Sequence, residues 1–199
     1  EGKRNADFSL NIDGAIAQIN ETQPSIVFIT TPNNPTGSTI SIAEIEKLAE
    51  SAKLSKAILV VDEAYEEFSK EPSAVSLISK FPNLVVVRTM SKAFAFAGAR
   101  LGYFVANEKM VDVALITRLP YHLSAQTQAI ASIALKNYKL LQNEVNLLIS
   151  ERNRIVSKLS EFGFNVVKSE ANFLLFSGFK GSSESVWESL LKDGVLIRN

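Results

Sequence analysis

Short runs that are apolar at almost every position alternate along the first half of the chain with a stretch whose apolar residues recur at helical spacing. The runs are SIVFI (25–29), AILVVD (57–62), LVVVR (84–88) and LGYFVA (101–106), and the helical stretch is SIAEIEKLAESAK (41–53). Runs without polar alternation describe strands buried on both faces, as in a largely parallel sheet sandwiched by helices. Ser41 followed by Glu44 is a capping box, which places a helix start there. The pattern therefore predicts an α/β fold with a mostly parallel sheet covered by helices.

From about residue 107 the pattern changes. After EKMVDVALITRL, the stretch 124–161 keeps near-helical spacing through Ile130, Ile133, Ala134, Leu141, Val145, Leu148, Ile155 and Leu159, and predicts one long helix or two in succession. FNVVK, NFLLF and GVLI then read as short strands, with a helix over 186–191 between the last two. This describes a large domain over 1–145 followed by the start of a smaller α+β domain over 146–199. The absence of a starting Met and the strand-like ending suggest an internal piece of a longer chain, with the N-terminal part of the large domain missing.

Composition narrows the chemistry. Lys plus Arg total 21 and Asp plus Glu total 21, so no basic excess points to nucleic acid or an anionic membrane. With no cysteine and one histidine, disulfides, thiolate nucleophiles and zinc–thiolate or His-rich metal sites are excluded. No segment reaches the roughly 18 continuous apolar residues of a membrane span. The expectation is a soluble globular protein, and the lack of cysteine is compatible with a reducing cytosol.

Ligands of open parallel sheets bind beyond the carboxyl ends of the strands, and polar residues gather there. TPNNPTG follows the first run, DEAY closes the second and TMSK follows the third, which would aim Asn34, Asp62, Tyr65, Ser91 and Lys92 into one region. Each has a plain structural alternative. NNPTG is ordinary turn punctuation, Asp62 and Ser91 are capping residue types, Tyr65 fits a core, and Lys92 and Arg100 fit a solvated surface. Convergence on one sheet edge favours chemistry instead. A lysine amine, a strand-end acid, hydroxyls and an arginine are the set a pyridoxal 5'-phosphate site uses: lysine for the aldehyde, acid for the pyridinium nitrogen, and hydroxyls with arginine for the phosphate.

The motifs NNPTG, VVDEAYEEF, RTMSKAFAFAGARLGY and RLPYHLSAQTQA resemble the fold-type I pyridoxal-phosphate aminotransferases, most closely the histidinol-phosphate aminotransferase family, and EANFLLF and GVLIR extend the likeness. The resemblance implies that Lys92 forms the Schiff base and shuttles a proton, that Asp62 pairs with the ring nitrogen, and that Asn34 and Tyr65 bond the phenolic oxygen. It sets Thr89, Ser91 and Arg100 around the cofactor phosphate and Arg198 near a substrate phosphate. It further implies a homodimer acting on an amino donor and a 2-oxo acid, here histidinol phosphate and 2-oxoglutarate. An aromatic-amino-acid aminotransferase and a decarboxylase of phosphate-bearing amino acids are the rival enzymes; a catalytically incomplete, cofactor-binding regulatory module is the non-enzymatic rival. Asn172 reads as a structural or pocket-edge residue, and His122 as a packed, capping or ligand-contacting one.

Overall fold

The computed structural model describes residues 2–198. Strands β1 (Ile26–Thr30), β2 (Ile58–Asp62), β3 (Leu84–Thr89) and β4 (Gly102–Ala106) form one four-stranded sheet in that order. β1, β2 and β3 run parallel, and β4 returns antiparallel to β3. Because the parallel strands are consecutive in sequence and adjacent in space, their carboxyl ends share one edge. The register aligns Thr30 with Asp62, Asp62 with Val87, and Thr89 with Gly102.

Side chains alternate across each strand, so Val27, Ile29, Leu59, Val61, Leu84 and Val86 fall on one face. That face packs against α1 (Ile12–Thr22) and α2 (Ile42–Leu54) in a cluster that includes Ile19, Ile45, Leu48, Ala49 and Ala52. Helix α2 starts where the capping box places it: the Glu44 carboxylate accepts from the Ser41 N–H at 2.8 Å, and Ser41 Oγ accepts from Glu44 N–H. Burying each large aliphatic side chain contributes about 1.5–3 kcal/mol, so the helix is held chiefly by this face.

The opposite face is covered less completely by the described residues. Ile26, Ile58, Val60, Val85, Val87 and Phe104 line an open apolar trough, and Phe28 is 72% exposed. Among the described residues only α3 (Glu108–Thr117) packs on this side, against β4. Strands with apolar residues on both faces need two covering layers, and one of these is supplied only in part by the described residues.

The stretch 124–161 is two helices, α4 (Ala125–Lys136) and α5 (Tyr138–Glu161), separated at Asn137. The boundary expected between 145 and 146 falls inside α5. β5 (Asn165–Val166) and β6 (Phe176–Ser177) form a short antiparallel pair, followed by α6 (Ser183–Lys192). Only the last residue of NFLLF is in a strand. GVLI, expected as a strand, is irregular: Val195 N–H closes on Leu190 O at 2.8 Å, and Trp187 Nε1 donates to Ile197 O at 2.8 Å, so local bonds to the end of α6 occupy the backbone that a sheet would use. A second core cluster, with Tyr65, Phe68, Met90, Phe94, Val145 and Ala171, ties α5 and the segment after β5 to the loops at the strand ends.

Candidate active site

The loop after β1 is closed on itself by Asn33, which leaves Asn34 free. Asn33 Oδ1 accepts from Thr30 Oγ1 at 2.7 Å, its Nδ2 donates to Thr36 Oγ1 at 2.8 Å, and its carbonyl accepts from Gly37 N–H at 2.6 Å. Both X–Pro bonds of the loop, Thr31–Pro32 and Asn34–Pro35, are cis. NNPTG is thus a turn, as its plain reading had it, and also a presenter: the Asn34 amide donates to Tyr65 Oη at 3.0 Å.

Asp62 ends β2, and its Oδ1 accepts from Ala64 N–H at 3.0 Å, bending the chain toward the 3-10 turn Glu66–Phe68. By strand alternation its side chain lies on the side of Val60 and Val87, whereas Glu63 turns to the packed side. Tyr65 is buried, consistent with a core role, but its hydroxyl carries the Asn34 bond and its ring meets two further groups. Phe173 packs edge-on at 5.0 Å between centroids, and Lys92 Nζ sits 5.3 Å from the Tyr65 ring centroid.

Beyond β3 the chain folds back on itself. Thr89 Oγ1 donates to Leu101 O at 3.2 Å and accepts from Ser91 N–H at 3.1 Å; Met90 N–H bonds Leu101 O and Phe96 N–H bonds Met90 O, each at 3.1 Å. Lys92 stands exposed on this loop. Ala95 (φ 50°) and Arg100 (φ 53°) take the left-handed backbone that non-glycine residues adopt at a cost, a feature that concentrates at functional sites. Arg100 is exposed, and its Nη1 donates to Ala97 O at 3.2 Å.

The structure therefore brings Asn34, Tyr65 and Lys92 into one constellation at the strand ends, with Asp62 three residues before Tyr65. Thr89, Ser91 and Arg100 share the loop of Lys92, but among the described residues Arg100 bonds neither hydroxyl. Among the described residues no helix starts at Ser91; the 3-10 turn that follows, Ala97–Ala99, has Phe96 at its N-cap. Arg198 is exposed beyond α6 and makes no hydrogen bond or ion pair with the other candidates among the described residues. His122 is exposed, and α4 is capped by Ser124 instead.

Sequence reasoning missed the charges on the packed side of the same strand ends. Glu63 is fully buried; its carboxylate accepts from Arg88 Nη2 at 2.9 Å, Arg88 Nε at 3.1 Å, Ser73 Oγ at 2.8 Å and Ala74 N–H at 2.7 Å. Arg88 also pairs with Glu66 at 3.2 Å. Burial opposes the arginine's charge, but Glu66 and Glu63 outweigh it and hold the pKa above the ordinary value. Burial raises the pKa of Glu66 despite Arg88, and burial likewise raises that of Glu67. The signal was the DE pair itself: if Asp62 faces one side of the sheet, Glu63 faces the core and needs a cation, and Arg88 has the matching parity on β3.

The family model described as "Aminotransferase class I and II" matches residues 3–199. The histidinol-phosphate aminotransferase of Nocardia farcinica is 51% identical over 200 residues, covering 100% of this chain and 51% of that protein. Among solved structures, the histidinol-phosphate aminotransferase from Clostridium acetobutylicum superposes with TM-score 0.88 at 29% identity, over 98% of this chain and 59% of that one. The enzyme from Sinorhizobium meliloti in complex with pyridoxal-5'-phosphate gives TM-score 0.84 at 26% identity, over 98% of this chain and 54% of that one. The chain spans about half the length of the curated relatives it matches.

Proposed function

This chain belongs to the class I and II aminotransferase family, and on that footing we propose that the whole protein transfers an amino group between histidinol phosphate and 2-oxoglutarate. Imidazole-acetol phosphate and glutamate form the counterpart pair, and the role is in histidine synthesis. The observation that carries the reading is the amine of Lys92 over the ring of Tyr65, whose hydroxyl is held by Asn34 and which follows the strand-end acid Asp62 by three residues. The half-identity to a histidinol-phosphate aminotransferase across the whole chain supports the substrate.

The side chains present fit pyridoxal 5'-phosphate by their chemistry: one amine, one carboxylate, an amide and a phenol already bonded together, two hydroxyls and a guanidinium. When bound, that cofactor supplies an aldehyde that combines with amines and a ring that takes up electrons released at the substrate's α-carbon. Lys92 would hold the aldehyde carbon covalently and, when displaced, carry a proton at the α-carbon. Asp62 would keep the proton on the ring nitrogen by its charge. With Asn34 donating to Tyr65 Oη, the phenol's own O–H is left to donate to the ring's phenolic oxygen. Thr89, Ser91 and the fork of Arg100 would bind the cofactor phosphate, and Arg198 the substrate's.

The whole protein acts as a homodimer in this proposal. Ile116, Leu119 and Tyr121, at 84%, 76% and 99% exposure, are large apolar side chains close together in sequence, and their exposure favours burial against further protein. No described helix is long and apolar enough to cross a membrane, and a biosynthetic role fits the cytoplasm. Comparing kcat/KM of the full-length protein for histidinol phosphate and phenylalanine tests the substrate. Preference for histidinol phosphate is expected; preference for phenylalanine would remove the assignment.

A further inference from the structure

We infer that Glu170 is a positioning residue that sets the Asn34–Tyr65 pair through the two loops carrying it, an inference that rests on the pyridoxal phosphate reading above. Asn34 and Tyr65 lie on separate loops, after β1 and after β2. What joins those loops is a third segment, 169–173. Glu170 N–H donates to Gly37 O at 2.9 Å, at the end of the first loop. Its carboxylate accepts from Lys70 N–H at 2.5 Å and from Ser69 Oγ at 3.2 Å, at the end of the second. One buried residue thus holds one loop with its backbone and the other with its side chain.

The rest of the segment is built around that clasp. Gly37 has φ +71°, and a Cβ there would come within 2.8 Å of Ser169 Cα, so the first loop lies directly against the segment. Ser169 Oγ donates to Phe173 O at 2.7 Å and accepts from Ala171 N–H at 3.1 Å, a turn that lays the Phe173 ring edge-on against Tyr65. From α5, buried Arg152 donates to Ala171 O at 3.0 Å and to Phe68 O at 3.4 Å. The charged groups facing Glu170 are Lys168, 4.0 Å from Oε1, and Arg152, whose charge it partly supports against burial.

The consequence is chemical. With the Tyr65 hydroxyl held by Asn34, its O–H would donate to the phenolic oxygen of a bound cofactor, would favour negative charge there, and would so lower the pH at which the nitrogen linked to Lys92 releases its proton. Loosening either loop would separate Asn34 from Tyr65 and raise that pH. A residue that only stabilised the fold would leave it unchanged.

The test is a pH titration of the visible absorption band of the full-length protein loaded with pyridoxal phosphate, for wild type, Glu170→Ala, Glu170→Gln and Phe173→Leu. Loss of Glu170's carboxylate is expected to raise the midpoint by about one pH unit, the scale of a hydrogen bond to an ionised group. Glu170→Gln keeps a carbonyl acceptor for Lys70 N–H and stays close to wild type, and Phe173→Leu gives a smaller rise. A wild-type midpoint in Glu170→Ala, with only a lower melting temperature, overturns the inference while the cofactor reading stands. If Glu170→Ala does not fold, a wild-type midpoint in Phe173→Leu overturns it by the same measure. A wild-type protein that forms no visible band defeats the cofactor reading and this inference with it.

Discussion

Replacing Glu63 by alanine removes the anion that joins the ends of β2 and β3 on the packed side of the sheet. Its carboxylate takes bonds from Arg88 Nη2 and Nε, Ser73 Oγ and Ala74 N–H, at 2.7–3.1 Å. Breaking a buried pair by deleting one partner costs about 3–5 kcal/mol, because the remaining charge and donors are left without acceptors. Arg88 retains Glu66 at 3.2 Å and keeps 17% of its side chain exposed, so the cost falls at the lower end, about 3 kcal/mol. Urea denaturation of the full-length protein without cofactor measures it, since bound cofactor would add its own linkage. Glu63→Leu combined with Arg88→Met removes both charges together, and is expected to cost less than the two single changes summed, by at least about 1.5 kcal/mol. A Glu63→Ala loss under about 1 kcal/mol, or strict additivity in the double variant, would refute the claim that this pair locks the two strand ends.

Three further outcomes are expected. Gly37→Ala places a methyl group against Ser169 at a backbone angle suited to glycine; left-handed strain and overpacking together cost about 2–4 kcal/mol, read as a lower melting temperature and weaker cofactor retention. Leu48→Ala, at a fully buried position of α2, costs about 2–5 kcal/mol by urea denaturation without altering the absorption spectrum of bound cofactor. Glu67, whose pKa burial raises, binds a proton more tightly folded than unfolded. Stability therefore falls as pH rises from the ordinary glutamate value through the raised one and stays lower above it. Glu67→Gln is expected to flatten that slope and raise the melting temperature at pH 7; an unchanged pH profile would contradict the burial argument.

The strands and the capped helix were legible because apolar runs and a Ser–Glu capping pair are local signals. The edge that gathers Asn34, Tyr65 and Lys92 was legible as well, since consecutive parallel strands place their ends side by side. Helix α1 was overlooked although Ile12, Ala15, Ile16 and Ile19 have helical spacing; Gly14 and a polar opening obscured it. GVLI reads as a strand locally, but strand formation needs a partner, and its backbone bonds to the end of α6 instead. The contacts of Glu170 and Phe173 were out of reach, because both are made to loops about a hundred residues away in sequence. Only the fold decides which distant carboxylate meets Lys70.

In this proposal residue 92 supplies the amine at the site. Borohydride reduction of the full-length protein with pyridoxal phosphate, followed by peptide mapping, tests it most directly. The adduct is expected on Lys92, with the visible absorption band lost in Lys92→Ala. An adduct on another lysine, or a band that survives that substitution, would contradict the account.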